Sequence, residues 1–153
     1  MTLGLDNGSA VTIIPENLFN DYPLLPNKQS RAGIGYRSAG GQRVVDRGTR
    51  ILISRLPDGS FQGIRAHVGK VVKGLMCLKD AMQQGHRIVF DNDELTITHK
   101  SSGRIQRFDE RNRVFELDLD IIPFKLLPPT IQKRISEGDP HNPFQGLELT
   151  NHP

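Results

Sequence analysis

Leu5-Asp6-Asn7-Gly8-Ser9-Ala10-Val11-Thr12-Ile13-Ile14-Pro15 is the stretch whose reading decides the fold. An apolar residue leads into a carboxylate, a glycine follows two positions later, and an apolar run closes on a proline. The pattern reads as a strand ending in a tight turn at Asp6, followed by a second buried strand over Val11 to Ile14, rich in β-branched side chains. Gly8 permits backbone angles that other residues resist. Ser9 and Ala10 are small enough to leave the carboxylate uncovered. Taken alone, Asn7-Gly8 between two apolar runs is the signature of a plain hairpin turn, so the weight of Asp6 depends on what lies downstream.

The chain has 153 residues, enough for one domain with a tail. Hydrophobic residues make up 36% and there is no Trp, which allows a lean core. The net charge of +3 is compatible with proximity to nucleic acid without demonstrating it. A single cysteine, Cys77, excludes an internal disulfide and fits a reducing compartment. No basic segment followed by a long apolar one marks a signal peptide at Met1. No apolar run approaches the roughly 20 residues of a membrane helix. The expectation is an intracellular chain that does not enter a membrane.

In chain order, Pro15 to Phe19 fits one helical turn, and Asn20 to Arg31, with two prolines, reads as a loop. Ile34 to Val45 reads as a hairpin with the tip Ser38-Ala39-Gly40-Gly41. Thr49 to Ser54 and Phe61 to Val68 are strands around the turn Pro57-Asp58-Gly59. Leu75, Leu78 and Met82 fall on one helical face, which predicts a short helix near 76–84 ended by Gly85. Strands follow at His86 to Asp91, Leu95 to His99 and Arg104 to Phe108. The alternation of Phe115, Leu117 and Leu119 predicts a half-buried strand over Val114 to Leu119. From Ile121 prolines punctuate the chain, and a helix over Pro129 to Glu137 ended by Gly138 precedes a flexible tail.

The Asp6 loop resembles the active-site loop of retropepsin-like aspartic proteases, Asp-Thr/Ser-Gly-Ala/Ser before an apolar strand. Asp6, Gly8 and Ser9 match that motif; Asn7 stands where the family has a hydroxyl. The order of apolar strand, short helix, glycine and final strand, and above all Gly85-His86-Arg87-Ile88-Val89-Phe90-Asp91, is similar to the protease segment of copia-type retrotransposon polyproteins. The resemblance runs over residues 3–120. The family usually carries a glycine after two apolar residues before the helix, whereas Gly74 here precedes Leu75-Met76. The family also has a further strand or two before the catalytic loop.

The resemblance implies an all-β, retropepsin-like closed-barrel domain over residues 1–120, with one short C-terminal helix, and a Pro-rich tail or linker over 121–153. It implies an aspartic endopeptidase that processes a retroelement polyprotein. Such catalysis needs two carboxylates sharing one proton. The chain offers one candidate, Asp6, so a working site requires a homodimer with Asp6 from each subunit meeting on the two-fold axis. Asn7, Gly8 and Ser9 form the active-site loop, Ser9 as a hydrogen-bond partner of the carboxylate. Ser38, Ala39, Gly40 and Gly41 form the tip of a flap over an extended peptide, within the cytoplasm or a retroelement particle. No cofactor and no metal are implied.

Other chemistries are less favoured. His67, His86, His99, His141 and His152 are dispersed without metal spacing. Cys77 sits in an apolar run and reads as a packing residue. Lys100, Arg104, Arg107, Arg111 and Arg113, with Phe108 and Phe115, read as a solvated strand face, with nucleic-acid contact as the weaker alternative. Asn7 and the position of Gly74 carry the rival reading: a catalytically decayed relic that persists as a binding or structural module.

Overall fold

The computed structural model describes residues 1–6, 11–37, 41–55, 59–83, 85–91, 93–110 and 115–138. Twelve strands are assigned among them: β1 (Thr2–Asp6), β2 (Ile13–Pro15), β3 (Gly35–Arg37), β4 (Arg43–Val45), β5 (Gly48–Arg55), β6 (Phe61–Gly69), β7 (Gly74–Cys77), β8 (His86–Asp91), β9 (Glu94–His99), β10 (Ile105–Asp109), β11 (Glu116–Asp118) and β12 (Asp120–Ile121). Three helices, α1 (Lys28–Ala32), α2 (Leu78–Gln83) and α3 (Pro129–Ser136), and a 3-10 turn at Phe124–Leu126 complete the described elements. The expectation of a mostly β chain holds.

Seven strands form one curled sheet in the order β11-β1-β7-β2-β6-β5-β12. Its two edge strands are consecutive in the chain, separated only by Leu119. The 116–118 part pairs with β1, and Asp120 and Ile121 pair with Arg55 and Ser54 of β5. Leu119 joins the ladders, its amide donating to Met1 O at 2.7 Å and its carbonyl accepting from the Met1 ammonium at 2.9 Å. One stretch of chain therefore touches both ends of the curl.

β7 lies between β1 and β2, parallel to the first and antiparallel to the second. The approach is close at Gly74. A Cβ there would come within 2.4 Å of Leu3 Cδ2 and 3.3 Å of Ile13 O. Leu3 is fully buried, so it has nowhere to retreat. The glycine that departs from the family's spacing is the residue that lets β7 enter between its neighbours.

β5 is buried along nearly its whole length, with no alternation. A strand covered on both faces reads as a continuous apolar run, and Ile51-Leu52-Ile53 is one. Its cover includes residues beyond 120: Leu127, Ile131 and Ile135 belong to the same core cluster as Ile51, Leu52, Ile53, Leu3 and Ile14. The packed body thus extends past residue 120, where the sequence places the start of a tail, as far as α3; residues 139–153 lie outside the described part. Tyr22 fastens this cover to the sheet. Its hydroxyl accepts from Ile53 N at 3.3 Å and donates to Ile122 O.

The short helix appears as α2, beginning at Leu78 because Gly74 to Cys77 extend as β7. Gly85 follows it with φ 86, its amide donating to Met82 O. Val71-Val72 forms no strand, and Val72 is fully exposed. Asn20 to Arg31 is not all loop: α1 is nucleated by a reciprocal cap, Asn27 Oδ1 accepting from Ser30 N and Ser30 Oγ from Asn27 N, each at 2.8 Å. Among the described residues no helix is long and apolar enough to cross a membrane.

Placing Ile135 in the core has a measurable consequence. Ile135→Ala should lower the free energy of unfolding by about 2–5 kcal/mol in urea denaturation, the cost of a buried cavity. A change under about 0.5 kcal/mol, typical of a surface site, would show that α3 does not contribute to the packed body.

Candidate functional site

Asp6 is the last residue of β1 and pairs in parallel register with Cys77, the last residue of β7. Because β7 separates β1 from β2, the arms flanking Asn7-Gly8 do not pair with each other. The plain two-residue hairpin reading therefore fails. β1 and β2 therefore lie two strand spacings apart, about 10 Å, with β7 between them, and the chain from Asp6 to Ile13 makes up this crossing. The far end of this crossing is pinned at Thr12, which is buried. Its hydroxyl accepts from Cys77 N at 3.0 Å and its carbonyl from His67 N at 2.8 Å. On the near side Leu5 N donates to Phe115 O at 2.9 Å. Asn7, Gly8 and Ser9, and the surroundings of the Asp6 carboxylate, lie outside the described part. Cys77 is buried, as its apolar run implies.

The predicted hairpin is present as β3 and β4, with Tyr36 opposite Val44. Gly35 makes the pairing possible, since a Cβ there would fall 1.9 Å from Val44 O. Gly41 is exposed at the tip with φ 82. Ser38, Ala39 and Gly40 are outside the described residues.

The base of this hairpin holds a cluster that reading the sequence did not single out. Asp46, directly after β4, is buried. Its Oδ1 accepts from Gly48 N at 2.8 Å and from Asn27 Nδ2 at 3.1 Å. Its Oδ2 accepts from His67 Nδ1 at 2.6 Å and from the Tyr36 hydroxyl at 3.1 Å. Four donors match the roughly four acceptor sites of an ionised carboxylate. Asn27 Nδ2 also donates to Thr49 Oγ1 at 2.8 Å. One carboxylate thus gathers the hairpin, the cap of α1, and strands β5 and β6. Burial pushes its pKa up, but Asn27, the Gly48 amide and His67 outweigh burial and hold it below the ordinary 3.8. Burial first, and then Asp46, push the Tyr36 hydroxyl up to about 12, so it remains a donor at neutral pH. A carboxylate saturated in this way has no lone pair left for a substrate. It anchors the hairpin.

A cavity of about 60 Å³ lies between the end of β7, the start of α2 and the sheet β8-β9-β10; Thr12, Cys77, Asp80, His86, His99 and Arg104 are in its wall. His86 and His99 pair across β8 and β9 with ring centroids 5.1 Å apart. Burial lowers the His86 pKa, and the nearby His99 and Arg104 add to it. Two imidazoles beside a guanidinium do not suit a cation, and among the described residues no group of three His, Cys, Asp or Glu could hold a metal. Of the basic run, Arg104 turns into this cavity and bonds Ser60 Oγ, Arg107 pairs with Glu94 at 3.1 Å, and Arg111 and Arg113 are outside the described residues.

No family model, curated protein or solved structure matches the chain.

The Asp46 cluster makes acid stability testable. Its pKa is depressed on folding, so its contribution is complete above the unfolded value of 3.8 and is lost as pH falls through the lower folded value. Asp46→Asn should cost about 2–4 kcal/mol at neutral pH, because buried donors lose a charged acceptor. Its melting temperature should also fall less steeply than the parent's below about pH 4. Parallel acid limbs in scanning calorimetry would remove Asp46 from the acid response.

Proposed function

We propose that the chain is an aspartic endopeptidase of retropepsin type, active as a homodimer with Asp6 from each copy, and that its substrate is the polyprotein of a retroelement. The observation that carries this reading is the crossing after Asp6. The carboxylate-bearing residue stands at the C-terminal end of two parallel strands, where the chain is forced away from its own hairpin arm by β7. Backbone at such strand ends is free to present a side chain outward, because the ladder no longer uses it. Both ends of the crossing are fixed by hydrogen bonds, at Leu5 and at Thr12. A glycine-tipped hairpin anchored by Asp46 supplies the second part that peptide hydrolysis of this kind uses, a cover over an extended substrate.

The chemistry follows from charge. Two Asp6 carboxylates brought about 3 Å apart cannot both ionise, so the pair retains one proton over a range of pH. The ionised member takes a proton from water, and the water attacks the scissile carbonyl. The protonated member polarises that carbonyl. Rate should therefore follow a bell-shaped pH profile on the acid side of neutrality, with apparent pKa values belonging to the pair.

A second reading rests on Asn7. Where the family's hydroxyl ties the two halves of the site together, Asn7 offers a longer arm, which favours a relic that keeps the fold as a binding or structural module.

The deciding experiment is cleavage of a mixed peptide library at mildly acid pH by the parent chain and by Asp6→Asn, with circular dichroism on both. The protease reading expects cleavage by the parent and a loss of more than about a hundredfold in the variant, with the spectrum unchanged. Cleavage by neither chain would support the relic, and equal cleavage by both would exclude Asp6 from the site.

A further inference from the structure

The described surface has an open strand edge at β8. This strand is outermost in the sheet β10-β9-β8, and among the described residues it pairs with β9 alone. Edge strands of soluble proteins are ordinarily blunted by a central lysine, a proline or a bulge. His86-Arg87-Ile88-Val89-Phe90-Asp91 has none of these. Its middle is apolar, with Val89 40% and Phe90 50% exposed.

The existing ladder settles which backbone groups face outward. Lys100 N donates to Gly85 O at 3.0 Å, and the Val89 carbonyl faces β9, where Thr96 Oγ1 reaches it at 3.4 Å. With Val89 opposite Thr96 and Arg87 opposite Thr98, the odd-numbered residues of β8 bond to β9. The N–H and C=O groups of Ile88 and Phe90 therefore point into the open edge. By the same alternation, Ile88 and Phe90 share the face of buried Ile97 and Leu95, while Arg87, Val89 and Asp91 lie on the other face.

We propose that a second copy of the chain docks on this edge, β8 against β8, antiparallel about a two-fold axis through Val89, giving a continuous six-stranded sheet. A two-fold axis perpendicular to a sheet preserves its faces, so residues that meet must share parity. Centring on Val89 places Arg87 opposite Asp91 of the second copy, twice by symmetry. Ile88 then meets Phe90 of the second copy in the pairs that exchange backbone hydrogen bonds, four bonds in all. Arg-Ile-Val-Phe-Asp is a charge palindrome, and among the described residues neither Arg87 nor Asp91 has an ion-pair partner within its own chain. Centring on Ile88 instead sets Arg87 against Val89 and Asp91 against Gly85, and both charge pairs are lost.

β10, the other edge of this sheet, is less suited. Arg107 already pairs with Glu94 of its own chain, and the strand borders a groove shared with Glu116 to Leu119. The β8 interface goes beyond the protease reading. It requires a second copy but no catalytic Asp6, and mass reads it independently of cleavage.

Sedimentation equilibrium on the full chain tests it with four proteins: the parent, Arg87→Asp, Asp91→Arg, and the double reversal. The parent should dimerise reversibly. Each single reversal sets like charges directly opposite in two symmetric places and should raise the dimer dissociation constant about tenfold or more. The double reversal restores opposite signs and should return the constant to within about threefold of the parent. Val89→Lys, which faces itself across the axis, should lose the β8 association at concentrations where the parent keeps it, falling to the dimer that Asp6 holds where the protease reading stands and to the monomer where it does not. All three sites, Arg87, Val89 and Asp91, are exposed, and unchanged melting temperatures will separate lost docking from lost folding. A parent that stays monomeric, single reversals as dimeric as the parent, or a double reversal no tighter than the singles would each overturn the interface. Cleavage by a chain whose dimer ignores these substitutions would keep the protease reading and remove this surface; a β8 dimer without cleavage would do the reverse.

Discussion

The structure depends on the insertion of β7 between β1 and β2. Two strands adjacent in sequence and joined by a short turn would ordinarily pair with each other. Here they are held apart by a strand that arrives some sixty residues later. The insertion is allowed where Gly74 meets Leu3 and Ile13, since any side chain at that point collides with a fully buried leucine. Everything near the candidate site follows. Asp6 is left at the end of a parallel pair, and α2 begins at Leu78, directly after its register partner Cys77.

A second constraint is electrostatic. A buried carboxylate is costly unless its acceptor sites are filled. Asp46 meets this by drawing donors from four places in the fold: Tyr36 of the hairpin, Asn27 at the cap of α1, the Gly48 amide and His67 of β6. None of these contacts is local except that to Gly48. The β3–β4 hairpin is therefore held at its base by the central sheet. An anchored base is the mechanical arrangement a cover over a substrate requires.

The two edges of the main sheet and those of the smaller one are managed differently. In the main sheet, one stretch from Glu116 to Ile121 supplies both edge strands and meets β1 and β5 in turn, so the curl ends on itself. Among the described residues, the three-stranded sheet has no such device at β8. The apolar middle of that strand, flanked by Arg87 and Asp91, is complementary in charge to its own two-fold image.

Much of the strand order along the chain was legible in the sequence, because alternation and β-branched runs report burial directly. The β3–β4 hairpin, β5, β6, the three strands after α2 and the glycine that ends that helix all fall where the pattern places them. The capping pair Asn27 and Ser30 was also legible three residues apart, although two neighbouring prolines led that segment to be read as loop. By itself the sequence determined which residues extend and which turn, and it marked Asp6 as an unusual carboxylate between apolar runs. Only the tertiary structure decided that the arms around Asn7-Gly8 do not pair, that Asp46 and His67 meet, and that Leu127, Ile131 and Ile135 complete the core. Each of these depends on residues from about twenty to more than a hundred positions apart. Local periodicity specifies the faces of an element, but the choice of which faces meet is made by packing over the whole chain, and no short window of sequence contains it.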